Sequence, residues 1–132
     1  MADYAIKDLE EIPDVLGDYP GEMRMTSASD LGSEQVAFTW RRMPAKTGGK
    51  GSYGHRHKTQ EEIYFVVSGT LQFKLEDEVL DLEAGTVVKV PPHVVRSVWN
   101  DTDEDAVVII VSNRVPDPGN DVETIPDFWP DE

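Results

Sequence analysis

The sequence contains no cysteine. That excludes a disulfide framework and any zinc site built on thiolates. It is also poor in positive charge: 12 Lys and Arg stand against 26 Asp and Glu, a net charge of −14. Nucleic-acid binding by phosphate neutralisation needs a basic stripe, so that class is excluded, as is electrostatic attachment to anionic membranes. The plain reading of the excess acid is solubility, or a host with a salty or acidic proteome. No run approaches the roughly 20 apolar residues of a membrane-spanning helix. The opening MADYAIKDLEEIPDVLG lacks a basic start and an apolar stretch, so it does not read as a signal peptide. The expected location is the cytoplasm.

What is present reads as β-structure on one domain. The chain has 132 residues, enough to bury a real core. The acid is concentrated at the ends: residues 1–22 carry seven acidic groups against Lys7, and residues 113–132 carry six against Arg114. Residues 1–35 are expected to form an arm, with a helical turn within Lys7–Val15 cut short by Pro13 and room for one strand. Residues 36–112 carry the barrel pattern. VAFTWRRM (36–43), EEIYFVVSG (61–69), TLQFKLE (70–76), VLDLEAG (79–85), TVVKVPP (86–92), VVRSVWN (94–100) and AVVIIVS (106–112) are short, rich in β-branched residues and separated by turn signals. In 70–76 the alternation is clean, with Leu71, Phe73 and Leu75 on one face, and Asp77-Glu78 is expected to turn the chain. Six or seven such strands and almost no helix mean an antiparallel sandwich or barrel. Residues 113–132 read as an irregular acidic, proline-rich tail, with Phe128 and Trp129 as its anchor.

Several strands are apolar on both faces. An outer apolar face needs a cover, so the arms and a second subunit are the expected covers, and a homodimer is expected. Phe38 and Trp40 are expected in the core. Arg41 and Arg42 are adjacent, so one faces inward, where it can add an anion contact.

The three histidines are His55, His57 and His93. His55 and His57 are two apart and share a face if the segment is extended. Glu62 follows at the head of the strongest strand. Two imidazoles and a carboxylate on one face are a ligand set for a divalent transition metal.

The frame around them is more specific. Gly49, five residues, His55-Arg56-His57, four residues, Glu62, six residues, Gly69 resembles the first motif of the cupin family. Gly85, five residues, Pro91 and then Asn100 resemble the second. The resemblance implies an all-β fold, the antiparallel double-stranded β-helix or jelly-roll barrel. It also implies an inward trio of His55, His57 and Glu62, and small-molecule ligands. Tyr64, on the Glu62 face, is expected to line the pocket.

The chain departs from the family at the second motif. The glycine after Pro91 and Pro92 is replaced by His93, and the fourth metal ligand, a histidine in the family, is replaced by Arg96. Arginine is always charged and does not normally coordinate metal. A guanidinium about 5 Å from a dication is repelled by on the order of 6 kcal/mol at an effective dielectric of about 20. Glu62 offsets roughly half of that, and an anionic substrate relieves the rest. His93 is expected at the barrel mouth as a ligand-binding candidate. Two readings therefore stand. In one, His55, His57 and Glu62 hold iron, manganese, nickel or zinc in an oxygenase or isomerase, with Arg96 on an anionic substrate. In the other, Arg96 pairs with Glu62 in a metal-free binding or sensor module. A metal-free sugar-nucleotide isomerase is a weaker third, because no basic set able to hold a diphosphate is visible.

Overall fold

Leu71, Phe73 and Leu75 put an apolar ridge on one face of a strand, and the chain buries it: Leu71 and Phe73 have no exposed surface. The computed structural model describes residues 4–26 and 31–131. Residues 1–3, 27–30 and 132, which belong to the expected arm and tail, lie outside the described residues. The strands are β1 (Glu22–Met25), β2 (Val36–Met43), β3 (Thr47–Gly48), β4 (Ser52–His57), β5 (Glu62–Ser68), β6 (Thr70–Leu75), β7 (Glu78–Glu83), β8 (Val87–Val90), β9 (Arg96–Asn100), β10 (Ala106–Asn113) and β11 (Val122–Trp129). A 3-10 turn at Leu9–Glu11 and one helical turn, α1 (Pro118–Asp121), complete the chain.

The strands form two antiparallel sheets, in the orders β1-β2-β10-β5-β8 and β11-β4-β9-β6-β7, with β3 on β9. Their inner faces meet in one core of Met43, Tyr64, Val66, Leu71, Phe73, Val90, Ala106 and Val108. Tyr64 from one sheet meets Phe73 from the other edge-on, ring centroids 5.3 Å apart. Each such side chain contributes about 1.5–3 kcal/mol of burial. The result is the expected all-β jelly-roll barrel. Gly69, between β5 and β6, has φ +76°, and a Cβ there would lie 2.8 Å from that of Ala106. Only glycine makes that turn without strain.

Register decides which face each residue takes. On β2, Met43 pairs with Ala106 and Arg41 with Val108, so Thr39, Arg41 and Met43 point inward. Arg42 is the outer arginine, on Glu22 at 3.2 Å and Asp105 at 3.3 Å. Phe38 and Trp40, expected in the core, lie half-buried on the outer face, Trp40 beside Arg24 of β1. An apolar strand does not itself say which face is inner, and a register step of one residue reverses the answer.

Three further expectations are corrected. The hairpin between β6 and β7 turns on Glu76-Asp77, one residue early, with Glu76 at φ 54°. The six or seven strands become eleven among the described residues: β1 is the one strand the arm had room for, and β3, β4 and β11 are added. Residues 113–132 are not an irregular tail: they hold α1 and β11, and β11 pairs with β4. The pairing answers β4's need for a partner. Pro126 sits at the break in the register between Ile125 and Trp129, where no ladder N–H is required. Trp129 is buried, and the ring of Phe128 packs on Gly54, with Lys74 Nζ 3.9 Å from its centroid.

Candidate functional site

β4 and β5 lie in opposite sheets, so the cleft between them receives side chains from both. His55 and His57 enter from β4, and Glu62 enters from the first position of β5. Ligand atoms of the three lie within 4.8 Å of one another. His55 Nε2 is 3.9 Å from Glu62 Oε1, and His57 Nε2 is 3.8 Å from Glu62 Oε2. The spacing expectation for this trio therefore corresponds to one cluster.

Arg96 reaches the same point because β9 pairs His55 with Arg96. Its side chain is fully buried. Its Nε donates to Glu62 Oε1 at 3.0 Å, and its Nη1 donates to the carbonyls of Val94 at 2.7 Å and Pro92 at 3.2 Å. Tyr64 donates its hydroxyl to the same Oε1 at 2.7 Å. Glu62 thus spends one oxygen on Tyr64 and Arg96, and turns the other toward His57. Burial first, then Glu62, raises the Tyr64 phenol well above its ordinary value, so it stays a donor. His93 is exposed on the turn between β8 and β9, outside the cluster.

The sequence reading missed Asp121. This residue ends α1, next to Val122, which pairs with His57. Its Oδ2 lies 3.2 Å from His57 Nδ1 and also accepts from the Gln60 amide, while Oδ1 accepts from the Thr59 amide and hydroxyl. Burial alone would raise its carboxyl, but the bonds from Thr59, Gln60 and His57 outweigh burial and hold it below its ordinary value. One acid among six in a polar segment carries no local mark, so no signal in the sequence singled it out.

The donor set fits a divalent ion. With Nδ1 of His57 directed at a carboxylate, Nε2 is the nitrogen that faces the pocket, which is the carboxylate–histidine–metal arrangement. That Nε2 is buried and has no partner. For His55, burial is opposed by Glu62 and aided by Arg96 and His57, and the imidazole is pushed down to about 4. It is neutral at pH 7, as a ligand must be. Donors around one ion at about 2.1 Å stand roughly 3.0–3.4 Å apart, so the two Glu62–imidazole gaps of 3.9 and 3.8 Å close by less than about 1 Å, while a separation as wide as 4.8 Å closes by about 1.4 Å or more.

A second buried atom is also unpartnered, Nη2 of Arg96. Buried polar atoms without partners call for an occupant. One orphan here is an acceptor and the other a donor, so a cation and an anion side by side would satisfy both.

The profile of the cupin domain matches residues 42–112, more than half of the chain. The chain belongs to the cupin family. Its barrel resembles solved cupins at low identity, which is a likeness of fold. A cupin protein from Bacteroides fragilis superposes with a TM-score of 0.67 at 19% identity, covering 88% of each chain. A sugar phosphate isomerase of the cupin superfamily from Silicibacter pomeroyi gives 0.70 at 18%, covering 91% of each. Oxalate decarboxylase from Bacillus subtilis gives 0.74 at 18%, over 93% of this cupin and 32% of that enzyme. No curated protein matches the chain. No helix among the described residues is long and apolar enough to cross a membrane, which leaves strand-built membrane barrels unaddressed.

Proposed function

We propose that this cupin holds a divalent transition metal on His55, His57 and Glu62 and binds a small anionic molecule beside it. The observation that carries this reading is the pair of buried, unpartnered atoms, His57 Nε2 and Arg96 Nη2. The candidate ions are iron, manganese, nickel and zinc, because two imidazoles and a carboxylate suit them. A bound ion supplies Lewis acidity and open positions for substrate. The chain's own residues do the rest. Asp121 orients His57. Tyr64 and Arg96 hold Glu62 by one oxygen and leave the other for the ion. Arg96, held by two backbone carbonyls, offers its free Nη2 to the anion and balances its charge in a largely buried site. The reaction class is oxygenation, or isomerisation of a small oxygenated molecule. The cupins of similar fold named above include an isomerase and a decarboxylase, so fold does not choose between them.

The direct experiment is metal analysis of protein produced with iron, manganese, nickel and zinc all supplied. Near-stoichiometric metal that falls at least tenfold in His57→Ala supports the reading. Protein that carries none of the four sinks it.

One observation favours a second reading. The Glu62–Arg96 pair is closed at 3.0 Å, as a metal-free anion-binding or sensor module requires. On that reading Arg96→His creates metal affinity that the parent lacks. Equal metal affinity in parent and variant counts against it.

The same reading includes a homodimer. It is supported by the outward residues of β5 (Ile63, Phe65 and Val67) and Val87 of β8, all exposed and all apolar. The location we propose is the cytoplasm.

A further inference from the structure

Arg41 is a cation of the inner face of β2 that the metal corner does not use. It points inward from β2 between Thr39 and Met43, opposite Val108 of the core. Its Nε is buried and has no hydrogen-bond partner. Its partner across the strand is apolar, and among the described residues no carboxylate forms an ion pair with it. Burial lowers its affinity for the proton, and the groups that work against this are Tyr19, Tyr64 and Tyr53 rather than an acid. Arginine nevertheless stays charged. A charge kept inside without a counter-ion is costly unless something supplies one.

Strand register says where that counter-ion would sit: Val108, opposite Arg41, pairs on its other side with Val66 of β5, which shares a face with Tyr64 and Glu62. Tyr64 donates to Glu62, so that face runs on to the metal corner. Tyr53 lies two residues before His55 on β4, on the same face, and its side chain is largely exposed. Tyr19 comes from the N-terminal arm, bonds the backbone of Gly48 through its hydroxyl and is also exposed. Arg41 and the metal corner thus face the same barrel interior, and the exposed Tyr53 shares the β4 face of His55. The two largely buried carboxylates of that corner are already engaged, Glu62 by Tyr64 and Arg96 and Asp121 by Thr59, Gln60 and His57, which leaves Arg41 without an acid among the described residues.

We propose that Arg41 is a second anion subsite, and that the ligand of this pocket is a small molecule with two separated oxyanionic groups. One group sits at the His55–His57–Arg96 corner, and the other, a carboxylate or phosphate, lies on the fork of Arg41. A guanidinium with an unused Nε matches such a group in two parallel hydrogen bonds. This rests on the reading of the pocket as an anion site.

The test is calorimetry with acetate, malonate, succinate and phosphoglycolate on the metal-loaded and metal-free protein. Wild type is expected to bind at least one of the doubly anionic probes tenfold or more tighter than acetate. Arg41→Gln is expected to reduce that probe to the acetate level, with acetate binding and metal content unchanged. Succinate against phosphoglycolate distinguishes carboxylate from phosphate at the Arg41 end. If Arg41→Gln binds the preferred probe as wild type does, or if no probe exceeds acetate, the subsite is refuted while the anion corner stands. If no probe, acetate included, binds wild type, both fall. Native wild type gives an independent check. Phenylglyoxal labelling of Arg41, located by mass spectrometry, is expected to drop at least fivefold with the preferred probe present, and unchanged labelling overturns the proposal.

Discussion

Asp121 holds the Nδ1 edge of His57 at 3.2 Å across 64 residues of sequence. The carboxylate fixes the ring's orientation and leaves Nε2 to the pocket. Replacing Asp121 with Asn keeps the shape but removes the charge that steadies the ring. Metal affinity is expected to fall about 10–100-fold, as it does when such partners are lost elsewhere. Competition with a chromogenic chelator measures it, and an unchanged affinity would show that Asp121 only ties the loop of Thr59 and Gln60.

Glu62 and Arg96 form a buried pair held by Tyr64 and by two backbone carbonyls. Removing the cation alone leaves a carboxylate with a phenol as its remaining partner. Arg96→Met is expected to destabilise the fold by about 3–5 kcal/mol. Urea denaturation reads this. A loss below about 1 kcal/mol would mean that Glu62 recruits water or metal in place of the arginine.

His55 is the pH-sensitive member of the trio. Its folded value, about 4, lies below the ordinary value of 6.5. Between these two values the unfolded chain binds a proton that the fold refuses. Stability of the metal-free protein therefore rises with pH from about 4 to 6.5, and the His55 contribution is lost as pH falls through that window. Proton NMR of the His55 ring gives the folded midpoint directly. A midpoint near 6.5 would contradict burial as the controlling influence.

Gly54 is the point where β11 closes on β4. A Cβ at this position would meet the Phe128 ring and lie 2.9 Å from the Arg96 carbonyl. Gly54→Val is expected to lift β11, and with it Asp121. Hydrogen exchange should then accelerate in Val122–Trp129, and metal affinity should fall with it. Phe128→Ala, which removes the packing without the clash, is expected to produce a weaker version of both effects.

The apolar outer face of β5 and β8 predicts self-association. Phe65→Glu places a charge in its middle, and light scattering is expected to show the dimer dissociating to a monomer with its thermal stability little changed. A wild type that is monomeric at about 100 μM contradicts the homodimer.

Much was determined by the sequence alone. Period-two alternation in Leu71–Leu75, and glycine where φ is positive at Gly69 and Gly85, mark strands and turns locally. The two-residue spacing of His55 and His57 places both on one face, and the resemblance to the first cupin motif, with its six-residue gap to Gly69, implies that Glu62 rather than Glu61 turns inward. These features depend on neighbours a few residues away, so they are legible without the fold. Tertiary structure decided everything set by pairing between distant strands. Cross-strand register put Arg96 beside His55, turned Arg41 inward, and moved Phe38 and Trp40 to the outside. Closure of β11 on β4 turned an acidic tail into a strand and carried Asp121 to His57. Composition hid that strand because most of its residues are exposed, and what holds it is pairing with β4 and the packing of Phe128 and Trp129 at its end. The same holds at the fourth corner. The sequence says that a cation stands there, and only the packed barrel shows it bonded to Glu62, with one donor left over.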